Sequence, residues 1–106
     1  MRILDLLELM VRDVHRLADK VGRHDRDLAN QMKRPSTSAA LNGSEGVWAK
    51  AGKRRSRLED SLKSARETLM ALRIARACGY LPVADATSGI RTLDGIIAVL
   101  WVLAYR

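Results

Sequence analysis

Three stretches of this chain carry apolar residues at alternating spacings of three and four, and this heptad pattern limits the fold more than any other feature. The three series are Ile3, Leu7, Met10, Val14, Leu17 and Val21; Leu58, Leu62, Ala65, Leu69 and Leu72; and Val83, Ala86, Ile90, Leu93, Ile97, Leu100 and Ala104. Such spacing places the residues along one face of an α-helix, so each series predicts an amphipathic helix with one apolar seam. The predicted bounds are about Ile3 to Val21, about Lys53 or Ser56 to Cys78, and about Val83 to Tyr105.

A further helical segment lies between the first two series, and its pattern is less regular. It opens near Asp25 or Asp27, because a carboxylate suits a helix N-terminus. The apolar stripe of this segment consists of Leu28, Met32, Ala39 and Leu41. Pro35 lacks an amide proton and crowds the preceding turn, so we expect a kink or a break there.

Several residues punctuate these helices. Ser36 or Ser38 could cap a new helix after the break at Pro35, and the stretch from Gly46 to Gly52 is predicted to be a turn. Gly22 is predicted to end the first helix in the left-handed conformation that glycine adopts without strain, and Gly79 to end the third.

Composition supports a helical chain of one domain. The chain has 106 residues, of which 47% are hydrophobic but only 4% aromatic, with no Phe. Leu and Ala carry the apolar content, and these residues favour helix over strand. The single cysteine, Cys78, excludes an intramolecular disulfide and a Cys-rich zinc site. We therefore predict an all-α, antiparallel up-down-up-down four-helix bundle over residues 1–106.

The second half of the last helix is apolar on every side. Beyond its seam, the additional apolar residues are Ile96, Ala98, Val99, Trp101, Val102 and Tyr105. One face of each helix in a four-helix bundle points outward, so this spare face needs a cover. Helix ends or the N-terminal Met1 are one cover, but we expect self-association into a homo-oligomer.

Positive charge is concentrated in one quarter of the chain. Residues 1–49 carry eight basic and seven acidic residues, residues 50–76 carry nine and three, and residues 77–106 carry two and two. Most of the net charge of +7 therefore lies in the middle segment, which favours a polyanionic partner. The predicted nucleic-acid-binding residues are Lys50, Lys53, Arg54, Arg55, Arg57, Lys63, Arg66 and Arg73. They would contact the phosphates of RNA or DNA; the alternative is a solvated charge run without a partner.

Trp48 stands beside this basic run, where it could stack on a base, although a single bulky apolar residue at a helix end is more often part of the core. Near it, Asn42 and Glu45 are three residues apart close to a predicted helix end. We expect both to be structural and to satisfy free backbone groups there.

Catalysis and metal binding find little support in the sequence. His15, His24 and Cys78 are the soft ligands, and no pair of them has helical i, i+3 or i+4 spacing. No phosphate-binding glycine loop is present, and no serine has a histidine at a suggestive spacing. We expect no enzyme activity, no metal and no cofactor; a small hydrolase centred on Ser44 and Glu45 is the remaining enzymatic alternative.

A cytoplasmic location without membrane insertion is the expectation for this chain. Asp5, Glu8 and Arg12 interrupt the apolar N-terminal segment, which argues against a signal peptide. The longest uncharged apolar run, from Gly95 to Tyr105, has eleven residues, whereas a membrane span needs about 20.

Short motifs in a fixed order resemble those of one bacterial family. Its pattern runs roughly Ser-x-x-x-Asn-Ile-Ala-Glu-Gly, a basic turn, Ser-x-x-Glu, then Gly-Tyr-Leu. The matching residues are Ser38, Asn42, Glu45, Gly46, Ser64, Glu67, Gly79, Tyr80 and Leu81. The family comprises four-helix-bundle proteins encoded in intervening sequences of large-subunit ribosomal RNA genes and the accessory variability protein of diversity-generating retroelements. The likeness spans about residues 24–104.

The resemblance implies a four-helix bundle, often assembled as a ring-shaped homopentamer. For the retroelement branch it implies a basic surface that contacts a reverse transcriptase and its template RNA; for the ribosomal branch it implies no defined activity. Two departures from the pattern concern the second helix. Gly43-Ser44 replaces a bulky apolar residue and Ala, and Pro35 stands where members continue a helix.

Overall fold

Four α-helices joined by short links make up the structure, a computed structural model that describes residues 2–106. The helices are α1 (Ile3–Val21), α2 (Arg26–Trp48), α3 (Ala51–Ala77) and α4 (Val83–Tyr105). Each helix packs along the next one in the chain, and α4 closes the ring against α1. Short links force consecutive helices to run antiparallel. The predicted all-α, up-down-up-down four-helix bundle is therefore confirmed.

The heptad series form the core of this bundle. The fully buried large side chains include Leu7, Met10, Val14, Leu17, Leu58, Leu62, Leu72, Leu93 and Leu100. Ile90 and Ile97 of the last series are half-buried, and Ile96 is buried instead. Val83, at the first position of α4, is 73% exposed because the helix begins beyond the end of the core.

Of the kink or break predicted at Pro35, the break is wrong, because α2 continues through it without interruption. Pro35 removes the hydrogen bond that its amide would donate to the carbonyl of Gln31. Both residues line a cleft at the surface, where water can solvate that carbonyl. Ser36 caps no new helix; it is buried, and its hydroxyl donates to the carbonyl of Lys33 at 2.8 Å.

The turn predicted within Gly46 to Gly52 is present, but it is shorter than that stretch. Helix α2 runs to Trp48, and only Ala49 and Lys50 link it to α3. Small residues explain why this helix persists, since they let α2 approach α3 closely. Those buried in α2 after Pro35 are Ser36, Ala39, Gly43 and Gly46. Leu41 is 62% exposed rather than part of the stripe, because in a continuous helix it lies about 180° from Met32.

The two predicted glycine stops differ in the structure. Gly79 has a φ of +73°. The amide of Gly79 donates to the carbonyl of Arg76 and that of Tyr80 to Ala75, which is the Schellman arrangement. Gly22 has a right-handed φ of −62°, so the prediction of a left-handed residue there is wrong.

A tight turn after α1 makes the left-handed conformation unnecessary. The amides of His24 and Asp25 both donate to the carbonyl of Val21 at 2.9 Å. Asp25 then caps α2, where its carboxylate accepts a hydrogen bond from the amide of Leu28 at 2.9 Å. The predicted cap at Asp25 is confirmed.

Helix α4 keeps an apolar outer face near its end. The exposed fractions are 37% for Val99, 49% for Trp101, 41% for Val102 and 39% for Tyr105. Met1, one of the expected covers, lies outside the described residues. Length and composition alone would allow α4 to cross a membrane, but it packs here along α3 and α1. This globular arrangement is compatible with a soluble protein.

Candidate nucleic-acid interface

The basic run lies at the corner where α2 passes into α3. Lys50 stands just before α3, and Lys53, Arg54, Arg55 and Arg57 occupy its first two turns. The two-residue link places the start of α3 beside the last turn of α2. The corner therefore brings Arg54 and Arg57 close to carbonyl and carboxylate groups of α2.

Arg54 uses its charge within the protein. Its guanidinium Nη1 donates to the carbonyl of Val47 at 3.1 Å and lies 3.4 Å from that of Gly46. These carbonyls belong to the last turn of α2, where the helix supplies no donors of its own. The cation also faces the negative end of the helix dipole. Arg54 is thus a C-terminal cap of α2.

Arg57 and Arg55 each face a carboxylate. Arg57 Nε lies 3.2 Å from Glu45 Oε2, which links α3 to α2. Arg55 Nε lies 3.8 Å from Glu59, and its guanidinium carbon is 5.1 Å from the centre of the Tyr105 ring. The Tyr105 hydroxyl donates to Glu59 at 2.9 Å, and this hydrogen bond raises the pKa of the phenol above its ordinary value. Arg57 therefore contacts α2, and Arg55 contacts the next turn of α3 and the end of α4.

Five of the eight predicted residues are exposed and project from α3 or its start without an ion-pair partner. Among residues 2–106, no carboxylate oxygen lies within 4.0 Å of a charged nitrogen of Lys50, Lys53, Lys63, Arg66 or Arg73. At about 1.5 Å and 100° per residue, Lys53 and Arg73 lie about 30 Å apart along α3 and about 160° apart around it. These five residues, the free cations, therefore spread over the outer half of α3 and do not form one narrow stripe. Asp60 and Glu67 lie among them.

Asn42 belongs to a polar network between α2 and α3. Its side-chain amide donates to the carbonyl and to the hydroxyl of Ser38, both at 3.1 Å. The Ser64 hydroxyl donates to the Ser38 hydroxyl at 3.0 Å. Neither Asn42 nor Glu45 bonds the helix-end backbone groups that we expected, because Arg54 occupies that place. Asn42 joins the two helices through Ser38, and Glu45 joins them through Arg57.

Trp48 lies on the surface, so the expectation that it belongs to the core is wrong. It is the last residue of α2, and 77% of its side chain is exposed. The heptad spacing that marks buried positions does not reach this residue, because the seam of α2 ends at Gly46. A large, exposed indole next to Lys50 adds an aromatic surface to the corner.

The structure describes the surroundings of the three soft ligands, His15, His24 and Cys78. Among residues 2–106, no group of three His, Cys, Asp or Glu side chains is arranged to hold a metal ion. His15 Nε2 lies 3.2 Å from the Thr37 hydroxyl, and the His24 ring stacks on Tyr80 with centroids 5.0 Å apart. Cys78 is exposed at the end of α3.

Comparison with known proteins identifies the fold. No family model matches the chain, and no curated protein matches it. A similar solved structure is that of a protein with unknown function from the S23 ribosomal protein family, from Bacteroides thetaiotaomicron. The two proteins are 18% identical, the match covers 99% of this chain and 100% of that one, and the TM-score is 0.90. The likeness shows that the two chains share one four-helix fold.

Proposed function

We propose that this protein is a non-enzymatic homo-oligomer that binds RNA or DNA. The cations on the outer face of α3 would contact the phosphates of the nucleic acid. The free cations are the observation that carries the proposal. Each is exposed and lacks a carboxylate partner within 4.0 Å among the described residues, so phosphate oxygens can reach it without displacing an internal contact. Arg55 and Arg57 would join when a phosphate replaces their carboxylate partners, whereas Arg54 stays with α2.

Phosphate contacts position a nucleic acid but do not read its sequence. Each neutralised phosphate releases counterions, which makes affinity fall with salt. If the free cations each neutralise one phosphate, the log–log salt slope is about −3.5 on a single strand and about −4.5 on a duplex per subunit. The ribosomal name of the neighbour's family makes RNA the first ligand to test.

The experiment compares two double variants of equal charge. Lys53→Gln with Lys63→Gln removes two free cations of α3, and Arg23→Gln with Arg26→Gln removes two exposed cations at the α1–α2 link. We expect the first pair to reduce the salt slope on single-stranded RNA by about 1.4 and the second pair to leave it nearly unchanged. Fluorescence anisotropy against salt concentration measures both slopes, and circular dichroism verifies the helicity.

An equal loss of RNA affinity in both double variants would show that binding depends on the net charge of the protein and not on the position of the cations. Absence of RNA and DNA binding at low salt would contradict the proposal altogether. Reversal of Arg54 is unsuitable for this experiment, since it removes the cap of α2 and changes the fold along with the charge.

Self-association through α4 forms the second half of the proposal. Its outer face near the end, the α4 face, consists of Val99, Trp101, Val102 and Tyr105, and all four side chains are more than a third exposed. A second copy of the chain would remove this apolar surface from water. The resemblance noted in the sequence points to a pentamer, in which the basic helices would be repeated and weak contacts multiplied.

A structural assembly protein without a nucleic-acid role is the alternative function. The observation that favours it is the use of Arg54, Arg55 and Arg57 in internal contacts. In that case the remaining charge serves solubility. Oligomeric mass without RNA retention distinguishes this alternative. The reverse transcriptase implied by the resemblance is a further proposed partner, to be tested by co-purification.

A further inference from the structure

A rigid backbone holds Trp48 while its side chain remains free. The amide of Ala49 donates to the carbonyl of Gly46 at 3.3 Å, and Arg54 donates to the carbonyl of Val47. These bonds fix the residues on both sides of Trp48. Trp48 is 77% exposed, the highest value among the exposed large hydrophobic residues described. A large apolar ring is thus presented to solvent from a fixed position.

The Trp48 ring also borders an apolar cleft at this end of the bundle. The cleft has a volume of about 410 Å³. Its described lining residues are Arg2, Ile3, Leu4, Val47, Trp48, Val99 and Leu103. Val99 also belongs to the α4 face, so a second copy packed on that face has to leave the cleft open. Clefts that bind small organic groups have volumes of this order and apolar or aromatic walls with few polar groups. The space beside the indole therefore suits one flat aromatic group.

The charge around the cleft is positive. Arg2 lines it, and Lys50 follows Trp48 by two residues. No carboxylate is among its described lining residues. Among residues 2–106, no carboxylate oxygen lies within 4.0 Å of a charged nitrogen of Arg2 or Lys50. One cation lines the cleft and a second lies two residues from its aromatic wall in the chain. The occupant that matches these features is a flat ring attached to an anion.

We propose that Trp48 and the cleft beside it receive an unstacked base of single-stranded nucleic acid, whose flanking phosphates contact Arg2 and Lys50. Bases in a duplex are stacked on one another and paired, so they cannot lie against an indole, whereas bases of a single strand can. Every base has an aromatic face, so the contact tolerates different sequences. This inference rests on the proposed function and adds to it a preference for single strands over duplexes.

The experiment uses a labelled oligouridylate and an RNA duplex of equal length, with binding measured by anisotropy. Trp48→Ala is expected to weaken oligouridylate binding about tenfold or more and to change duplex binding by less than about twofold. Trp48→Phe keeps an aromatic ring and should retain most of the affinity. Leu41→Ala, which shortens another exposed side chain of α2, is the matched control and should bind like the parent.

A second measurement observes the indole directly. The chain has two Trp residues, so Trp101→Phe leaves Trp48 as the single indole. Its emission should be quenched when oligouridylate stacks on it, and acrylamide should quench it freely before RNA is added. Light scattering verifies that this variant keeps the parent's mass.

The outcomes separate the inference from the proposed function. Two results with an RNA-binding parent would overturn the base-stacking role: Trp48→Ala binds oligouridylate as tightly as the parent does, or it loses affinity for oligouridylate and for the duplex by the same factor. In either case the proposed phosphate contacts of α3 would remain. Shielding of Trp48 from acrylamide in the free protein would also overturn the base-stacking role, because a second copy would then cover the cleft. If the parent binds neither RNA ligand and no DNA at low salt, both proposals fall.

Discussion

At the scale of single residues, Gly46 of α2 lies in close contact with Leu58 of α3. A Cβ atom placed there would lie 2.8 Å from Leu58 Cγ and 3.2 Å from the Leu58 backbone nitrogen. Leu58 itself is fully buried. Neither the leucine side chain nor the backbone behind it has room to move away, so the contact requires a glycine.

Replacement of Gly46 by Ala should therefore destabilise the bundle, although alanine favours helix. Overpacking costs about 1–3 kcal/mol, against a gain in helix propensity of about 1 kcal/mol, so we expect a net loss. Gly95 in α4 is the control, because nothing lies within 4 Å of a Cβ placed there. Gly95→Ala should stabilise the protein by about 0.5–1 kcal/mol. Urea denaturation of both variants measures the difference; equal effects would contradict the close contact.

The ion pair between Lys20 and Asp85 links the stability of the protein to pH through the ionisation of Asp85. Lys20 Nζ donates to the Asp85 carboxylate at 2.8 Å, and this hydrogen bond lowers the pKa of Asp85. Because the pKa of Asp85 is lower in the folded state than in the unfolded state, ionised Asp85 stabilises the protein at pH values above the ordinary pKa of aspartate. This stabilisation is lost as the pH falls through the pKa of the folded state. Asp85→Asn should lower Tm at neutral pH, and the difference from the parent should shrink in acid.

Thermal melts over a pH series test this expectation. Asp94→Asn serves as the control, since Asp94 is an exposed carboxylate of α4. Among residues 2–106, no cation lies within 4.0 Å of its oxygens. A Tm difference for Asp85→Asn that stays constant from neutral to strongly acidic pH would contradict the role of the ion pair.

At the scale of helices, the end of α2 depends on a side chain from α3. Arg54→Ala removes the donor to the Val47 and Gly46 carbonyls and the favourable charge at the helix end. We expect a loss of about 1 kcal/mol in the free energy of unfolding. Lys53→Ala removes one neighbouring charge without a hydrogen bond and should change stability by less than about 0.5 kcal/mol. Chemical denaturation tests the pair, and equal stability in both variants would exclude the cap.

The helices differ in how far the sequence alone predicted them. The heptad series predicted the observed ends of α1 and α4, and it placed the ends of α3 within a few residues. A regular apolar seam is a local signal, so it can be recognised in the sequence of one helix. Helix α2 was predicted to kink or break at Pro35, since Pro35 and the glycines are local signals for interruption. Its continuity comes from packing against α3, where small residues are favourable, and that contact does not show in the sequence of one helix.

The candidate interface was likewise predictable only in part. A run of five cations shows where charge accumulates, so the position of the basic corner followed from the sequence. The partners of these cations lie elsewhere in the chain: Glu45 for Arg57, the Val47 carbonyl for Arg54, and Tyr105 for Arg55. Only the fold brings these groups together. The exposure of Trp48 also needed the structure, because it depends on where α2 passes the end of the core.

At the scale of the whole molecule, the α4 face leads to a prediction about mass. The parent protein at micromolar concentration should show a mass several times 11.8 kDa in light scattering. Trp101→Glu with Val102→Glu places two charges on this face and should yield monomers, because burial of unpaired charge is unfavourable. Val83→Glu adds a charge at the opposite end of α4, where the side chain is 73% exposed, and should leave the mass unchanged. A monomeric parent would contradict self-association.

The short links also have a consequence for how the bundle forms in time. Among the described residues, three of the four largest interhelix contacts join helices that follow each other directly, and the fourth, between α1 and α4, closes across the whole chain. Contacts between consecutive helices lose less chain entropy on loop closure than the contact between α1 and α4. The α2–α3 contact should therefore be largely formed in the folding transition state, and the α1–α4 contact should form last. In stopped-flow experiments Gly46→Ala should therefore slow folding, whereas Asp85→Asn should mainly accelerate unfolding.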